Sequence, residues 1–275
     1  MSVWYPSFYP AFRCRADRCR HSCCRGWEID VDKDSAELYR GLPGELGEEL
    51  RQALFSDEEG WHFRLDEEER CPFLESDGLC RLIKRLGEEA LCDICALHPR
   101  FFEELDADEL WGLGLSCEEA AALLLKEKEL RFVCRESGES LDLPGLLRSV
   151  GLAVPRQTLR YRLRIDEKRR REILRRFGKT EPIDDRWPGE LKALEQSPLP
   201  EPRDDRPYQR IFEYILYRQI ERAEEWRWAS IADYAALCTD FVALWDALEE
   251  DTDAHLRRFS EQIEYSTENV EILMG

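Results

Sequence analysis

The chain has 275 residues, 59 of them acidic and 40 basic, for a formal net charge of −19. That balance argues against general attraction to nucleic acid or to an anionic membrane face and favours basic partners. A hydrophobic content of 43% and an aromatic content of 11% imply a folded protein rather than a disordered tail, despite 36% charged residues.

There is no apolar run of about 18 residues, so no membrane-spanning helix is expected. Met1-Ser2-Val3-Trp4-Tyr5-Pro6 lacks a charged region followed by an apolar one, so no secretory signal is expected and a cytoplasmic location follows. In a reducing compartment the eleven cysteines read as metal-binding or redox groups rather than as a disulfide framework.

Pro6 and Pro10 discourage a long helix at the start, so Cys14 and Cys19 are expected on an extended segment and a tight turn. Cys19-x3-Cys23-Cys24-Arg25-Gly26-Trp27 reads as a loop in which Gly26 lets the backbone turn and Trp27 screens a metal centre from water. Neighbouring side chains diverge, so only one of Cys23 and Cys24 suits an inner ligand position. A helix is expected from about Ser35 to Phe55, capped by Asp34 or Ser35 and broken near Gly41-Leu42-Pro43-Gly44.

Trp61 to Leu65 alternates as a short strand does, and a small hairpin would then deliver Cys71. Ser76-Asp77-Gly78 turns the chain before Cys80, which opens a segment running to Leu91. Cys92-x2-Cys95 is a common chelating spacing, because two thiolates three residues apart can grip one ion from a single turn. His98 and His21 are secondary nitrogen candidates.

Phe101–Leu105 and Leu110–Leu115 predict a second hairpin, followed by a helix beginning at Cys117 with Ser116 as its cap. Cys134, beside Phe132 and Val133, reads as a buried thiol. From Glu136 the composition changes. Asp142-Leu143-Pro144 starts a short helix ending near Val154-Pro155, and the basic stretch from Arg156 to Lys179 reads as a solvated helix face paired with acids. Residues from Glu181 to Pro207 read as a linker or irregular arm.

Three amphipathic helices follow. Tyr208, Ile211, Phe212, Ile215, Leu216, Ile220, Ala223 and Trp226 form one stripe; Ile231, Tyr234, Ala235, Cys238, Phe241, Val242 and Trp245 form another, which makes Cys238 a core residue. A last helix, about Ala254 to Leu273, completes an antiparallel bundle. The expected fold is therefore mainly α: a metal-organised, cysteine-rich N-terminal region with short β-hairpins over 1–135, then a helical region over 136–275, the two separate or integrated into one domain.

No Gly-x-Gly-x-x-Gly following a strand, no phosphate-binding loop and no nucleophile elbow is present. The loop also lacks Cys-x3-Cys-x2-Cys, since Gly26 stands in the third place, so radical cleavage of S-adenosylmethionine is not inferred.

Taken in order, Cys14-x4-Cys19-x3-Cys23-Cys24-x-Gly26-Trp27, Cys71-Pro72-Phe73-Leu74 with Leu79-Cys80, Leu91-Cys92-x2-Cys95-x2-His98-Pro99-Arg100, and Leu115-Ser116-Cys117 with Ala120-Ala121 resemble the flagellin lysine-N-methylase (FliB-type) family. That family is itself similar to the YkgJ-type cysteine-cluster proteins. The resemblance covers about residues 8 to 125. His98 stands where the family usually has Phe, and Glu118 where it usually has Pro.

The resemblance implies methyl transfer from S-adenosylmethionine to lysine ε-amines of flagellin, in a protein carrying an iron–sulfur cluster, read as [4Fe-4S] with zinc as the alternative. It makes Cys24 (or Cys23), Cys71, Cys80 and Cys95 the first choice of metal ligands. Cys14, Cys19, Cys92 and Cys117 are left for a second centre or an outer shell. Glu28, Asp30 and Asp32 follow the cysteine loop, but their spacing elects none as a base. The other readings of the residues are a non-enzymatic helical interaction module stapled by zinc or a cluster, and a redox or metal-handling protein.

Overall fold

The computed structural model describes residues 2–201 and 205–275. The protein is 51% helical with 13% strand, in agreement with the mainly α expectation. Two compact units account for it: Arg13–His98, and Met1–Phe12 together with Pro99–Gly275. No helix among the described residues is long and apolar enough to cross a membrane.

The chain opens with strand β1 (Ser2–Pro6), which belongs to the larger unit. The smaller unit then begins with the cysteine loop and β2 (Ile29–Val31), followed by α1 (Lys33–Gly41) and α2 (Gly44–Ala53). The helix break falls where Gly41-Leu42-Pro43-Gly44 predicts it: Pro43 lacks a donor and Gly44 sits at φ +79°, conformations that end one helix and open the next. The cap differs from expectation. Asp32, rather than Asp34 or Ser35, accepts the Ser35 N–H at 2.8 Å, because the helix starts two residues earlier than its apolar pattern indicates.

Strands β3 (Leu54–Ser56) and β4 (Trp61–Phe63) complete an antiparallel sheet in the order β2-β4-β3. Ile29 pairs with Phe63 and Asp30 with His62. Tyr39, Leu50, Phe63, Phe73 and Leu82 form the apolar core, with Phe63 between Tyr39 and Phe73 at ring separations of 5.7 and 5.1 Å. Short helices α3 (Arg81–Leu86) and α4 (Asp93–Leu97) close the unit.

The expected hairpin over 101–115 is present as antiparallel β5 (Arg100–Leu105) and β6 (Asp108–Leu113). It is part of a larger sheet, order β5-β6-β1-β7-β8, with β7 (Phe132–Cys134) and β8 (Ser140–Leu141). β1 runs parallel to β6 and antiparallel to β7. Between them lies α5 (Glu118–Lys126); Cys117 occupies its N-cap position, and the expected cap Ser116 instead hydrogen-bonds the Tyr265 hydroxyl at 3.0 Å. Cys134 is buried, as expected.

Asp142 caps α6 (Leu143–Ser149), which ends about five residues sooner than expected. The basic stretch holds α7 (Glu167–Phe177), whose arginines pair with acids: Arg169 with Asp240, Arg170 with Glu167, Arg176 with Asp233.

The expected linker over 181–207 contains a packed helix, α8 (Trp187–Glu195). Pro188 is in its first turn, where proline is tolerated, and Trp187 is 1% exposed against Phe177 and Phe241. The part of that linker at 202–204 lies outside the described residues.

The two amphipathic stripes become α9 (Arg206–Arg218) and α10 (Trp228–Leu248). α10 is buried nearly all round, with Leu237, Cys238, Phe241, Val242 and Leu244 at zero exposure, and α7, α8, α9, α11 (Thr252–Phe259) and α12 (Thr267–Met274) all pack on it. The single last helix expected over 254–273 is thus two, separated by a π-helical turn at Ser260–Glu264.

Candidate metal centre

Five thiols of the smaller unit stand within electrostatic reach of one another: Cys24, Cys71, Cys80, Cys92 and Cys95. Local backbone pairing delivers each. Gly26, at φ +77°, turns the loop so that its N–H reaches Glu69 O at 3.0 Å, and Arg25 bridges Arg70. The Cys71 N–H then donates to Cys24 O at 2.9 Å, which sets the two cysteines side by side without the expected hairpin.

A tight turn, closed by Glu75 N–H to Leu79 O at 2.9 Å, brings Cys80 opposite Leu74. Cys80 directly precedes α3, and the N–H groups of Leu82 and Ile83 donate to its sulfur. Cys92 precedes α4 and Cys95 lies within it. The Asp93 N–H donates to Asp32 Oδ2 at 2.9 Å, so the residue that caps α1 also anchors α4.

Cys71 and Cys92 are buried in the apolar core, and Cys24, Cys80 and Cys95 are half-buried against it. Burial pushes the Cys71 thiol up to about 12, with the neighbouring thiolates of Cys24, Cys80 and Cys92 adding to the rise. Burial likewise raises Cys80. Hydrogen bonding from Cys23, and then from Ser22, brings Cys24 down to about 7. Cys95 donates to Cys92, which lowers Cys92 and raises Cys95.

Several thiols crowded into a low-dielectric site cannot all ionise by themselves. A bound cation or cationic cluster supplies the missing charge, and its binding would release these protons. The donor set also bears on which group fits. A zinc–sulfur bond of about 2.3 Å puts the sulfurs of a tetrahedral site about 3.8 Å apart. Among the described residues no three thiol sulfurs lie within 4.8 Å of one another, wider than that tetrahedral spacing.

The remaining candidates are placed differently. Cys23 is exposed beside Cys24, Cys14 is exposed, and Cys19 is half-buried. Cys117 belongs to the larger unit. Trp27 is half-buried with its ring 5.7 Å from that of His98, and its indole N–H bonds Cys23 O. Burial brings His98 down to about 4. His21 is exposed.

Tyr39 escapes notice in the sequence, where it reads only as a core residue. Its hydroxyl donates to Ala90 O at 2.6 Å, and burial together with Cys92 and Cys95 raises its pKa. Nothing in its spacing signals that proximity to Cys92 and Cys95, because the tertiary fold creates it.

Over 135 residues, 47% of this chain, the sequence is 29% identical to Lysine-N-methylase of Salmonella typhimurium and to Lysine-N-methylase of Salmonella choleraesuis, covering 34% of each. It is 28% identical over 135 residues to the flagellar biosynthetic protein FliU of Salmonella muenchen, covering 80% of it. The matched part spans about a third of the length of the two lysine-N-methylases. No protein-family model matches the chain, and no solved structure matches it. With these relatives beside the gathered thiols, the chain is similar to the flagellar lysine-N-methylase (FliB-type) family, as the order of its cysteine motifs implies.

Proposed function

We propose that this protein is a protein-lysine N-methyltransferase that takes its methyl group from S-adenosylmethionine, acts on flagellin, and carries a cysteine-ligated iron–sulfur cluster, read as [4Fe-4S]. The observation that carries the reading is sequence similarity to two proteins named lysine-N-methylase, supported by a third named for flagellar biosynthesis.

Cys24, Cys71, Cys80 and Cys95 are the proposed cluster ligands, with Cys92 as the fifth thiol, hydrogen-bonded to Cys95. The wider group of candidates, Cys14, Cys19, Cys23 and Cys117, stays available for an outer shell or second centre. Such a cluster supplies positive charge and a rigid cross-link among four chain segments.

In the transfer, the lysine ε-amine gives up its proton and its nitrogen takes the methyl, while the sulfonium becomes a thioether. A net charge of −19 attracts both lysine-bearing surfaces and a sulfonium donor. The second reading, a cluster-stapled interaction module without catalysis, is favoured by one fact: the match spans only about a third of the methylases' length.

Labelled S-adenosylmethionine incubated with flagellin and anaerobically purified protein separates the two. Label on flagellin lysines supports the enzyme. An iron–sulfur absorbance band without label transfer or donor binding supports the module.

A further inference from the structure

The sheet β2-β4-β3 carries a second group of metal-binding atoms, made of oxygen and nitrogen rather than sulfur. Strand alternation turns Ile29 and Val31 into the core, so Glu28 and Asp30 share the opposite face. Asp30 is directly opposite His62 in β4, a pairing that brings Cβ atoms to about 5 Å. His62 is nevertheless shielded, its side chain 4% exposed and its ring 5.3 Å from that of Phe55, whereas Glu28 and Asp30 are open to solvent.

His62 Nδ1 lies 3.0 Å from Asp30 Oδ1 and 3.4 Å from Glu28 Oε1, and Nε2 lies 3.1 Å from Asp57 Oδ1. The ligand atoms of Glu28, Asp30 and His62 all fall within 4.8 Å of one another. Metal–ligand bonds of about 2.1 Å give an octahedral edge of about 3.0 Å, which the separation of His62 Nδ1 and Asp30 Oδ1 meets, while Glu28 Oε1 lies slightly farther out.

A neutral imidazole has one N–H. When Nε2 carries it and donates to Asp57, the Nδ1 lone pair faces two carboxylates, an arrangement that a cation between them makes favourable. Asp57 Oδ1 is held in turn by the N–H groups of Glu59 and Gly60, at 2.9 and 3.2 Å. A carboxylate behind a ligating histidine is the usual partner that orients the ring and fixes its tautomer.

We infer that Glu28, Asp30 and His62 bind a divalent first-row transition ion through two carboxylate oxygens and Nδ1, with Asp57 as the positioning residue. Water completes the coordination on the exposed side. The two carboxylates balance the charge of the ion, and the absence of sulfur among the ligands separates this site chemically from the thiol centre.

Mn(II), which favours oxygen and nitrogen over thiolate, is the probe. The full chain is titrated with Mn(II), and the free ion is read by electron paramagnetic resonance. The expected result is one bound Mn(II) per chain, weakened at least tenfold by Glu28→Gln and by Asp30→Asn, both exposed positions that leave the fold intact, and about 10–100-fold by Asp57→Asn. Failure of the wild type to bind Mn(II), or equal binding by a Glu28→Gln/Asp30→Asn double variant, overturns the inference. Imidazole 15N shifts showing both ring nitrogens protonated in the presence of saturating Zn(II) also overturn it, and identify His62 as an imidazolium clamped by three carboxylates.

Discussion

The Tyr161 hydroxyl donates a 2.6 Å hydrogen bond to Asp240 Oδ1 on α10, while Arg169 Nε of α7 occupies the other carboxylate oxygen at 2.7 Å. A buried carboxylate with both oxygens satisfied ties the basic stretch to the central helix; burial raises the Asp240 pKa, and the bonds from Tyr161 and Arg169 work against that rise. Tyr161→Phe removes one bond and should lower stability by about 1–2 kcal/mol. Asp240→Asn removes the buried partner of Arg169, leaving it only the more exposed Glu172, and should cost about 3 kcal/mol. Urea unfolding of both variants checks the order; equal costs would mean that the ion pair contributes no more than the single hydrogen bond.

His98 gives the smaller unit an acid-sensitive point. Burial holds its folded pKa near 4, whereas an unfolded chain shows about 6.5. Between those values the unfolded state binds more protons, so stability rises with pH through the window, is nearly complete above about pH 6.5, and is reduced by about 3 kcal/mol near pH 4. Phenylalanine at this position keeps a ring beside Trp27 and has no proton to bind. His98→Phe should therefore lose less stability than the wild type between pH 7.5 and pH 4.5, measured by urea unfolding at each; parallel losses would remove His98 as the cause.

The thiols predict a contrast between two kinds of cysteine. Cys71→Ser and Cys95→Ser should release iron and acid-labile sulfide from anaerobically purified protein and lower the melting temperature of the unit Arg13–His98. Cys238→Ser, inside fully buried α10, should leave iron content unchanged and cost about 1–2 kcal/mol for a buried hydroxyl. Iron retained in full by the first two variants strikes them from the ligand set.

Trp187 tests whether the segment between α7 and α9 is structural. Its indole packs on Phe177, Phe241 and Trp245, and its N–H donates to Thr180 Oγ1 at 3.2 Å. Trp187→Ala should destabilise the helical unit by about 3–5 kcal/mol, read by calorimetry. A change below 1 kcal/mol would return the segment to the status of a loosely held arm.

Much of the secondary structure is legible locally. The break at Pro43-Gly44, the hairpin over 101–115, the cap at Asp142 and the stripes of α9 and α10 each rest on residues within one or two turns of each other. α8 was missed because proline and acid content dominate its flanks, and Trp187 supplies its reason to be ordered only through contacts with α7 and α10. β1 was missed for a similar cause: a five-residue strand ending in proline is stabilised by β6 and β7, more than 100 residues away in the chain.

By itself the order of residues determined that this chain is mostly helical, folded around buried stripes, and rich in closely spaced thiols. Only the tertiary structure decided which thiols lie near one another. Spacing counts residues along the chain, whereas the gathering of Cys24, Cys71, Cys80, Cys92 and Cys95 depends on backbone pairing between Cys24 and Cys71 and on the Asp32 anchor at α4. The same holds for His62 and Asp30, 32 residues apart in sequence and opposite each other in the sheet, because strand register is set by the packing of Ile29 and Phe63 on the other face.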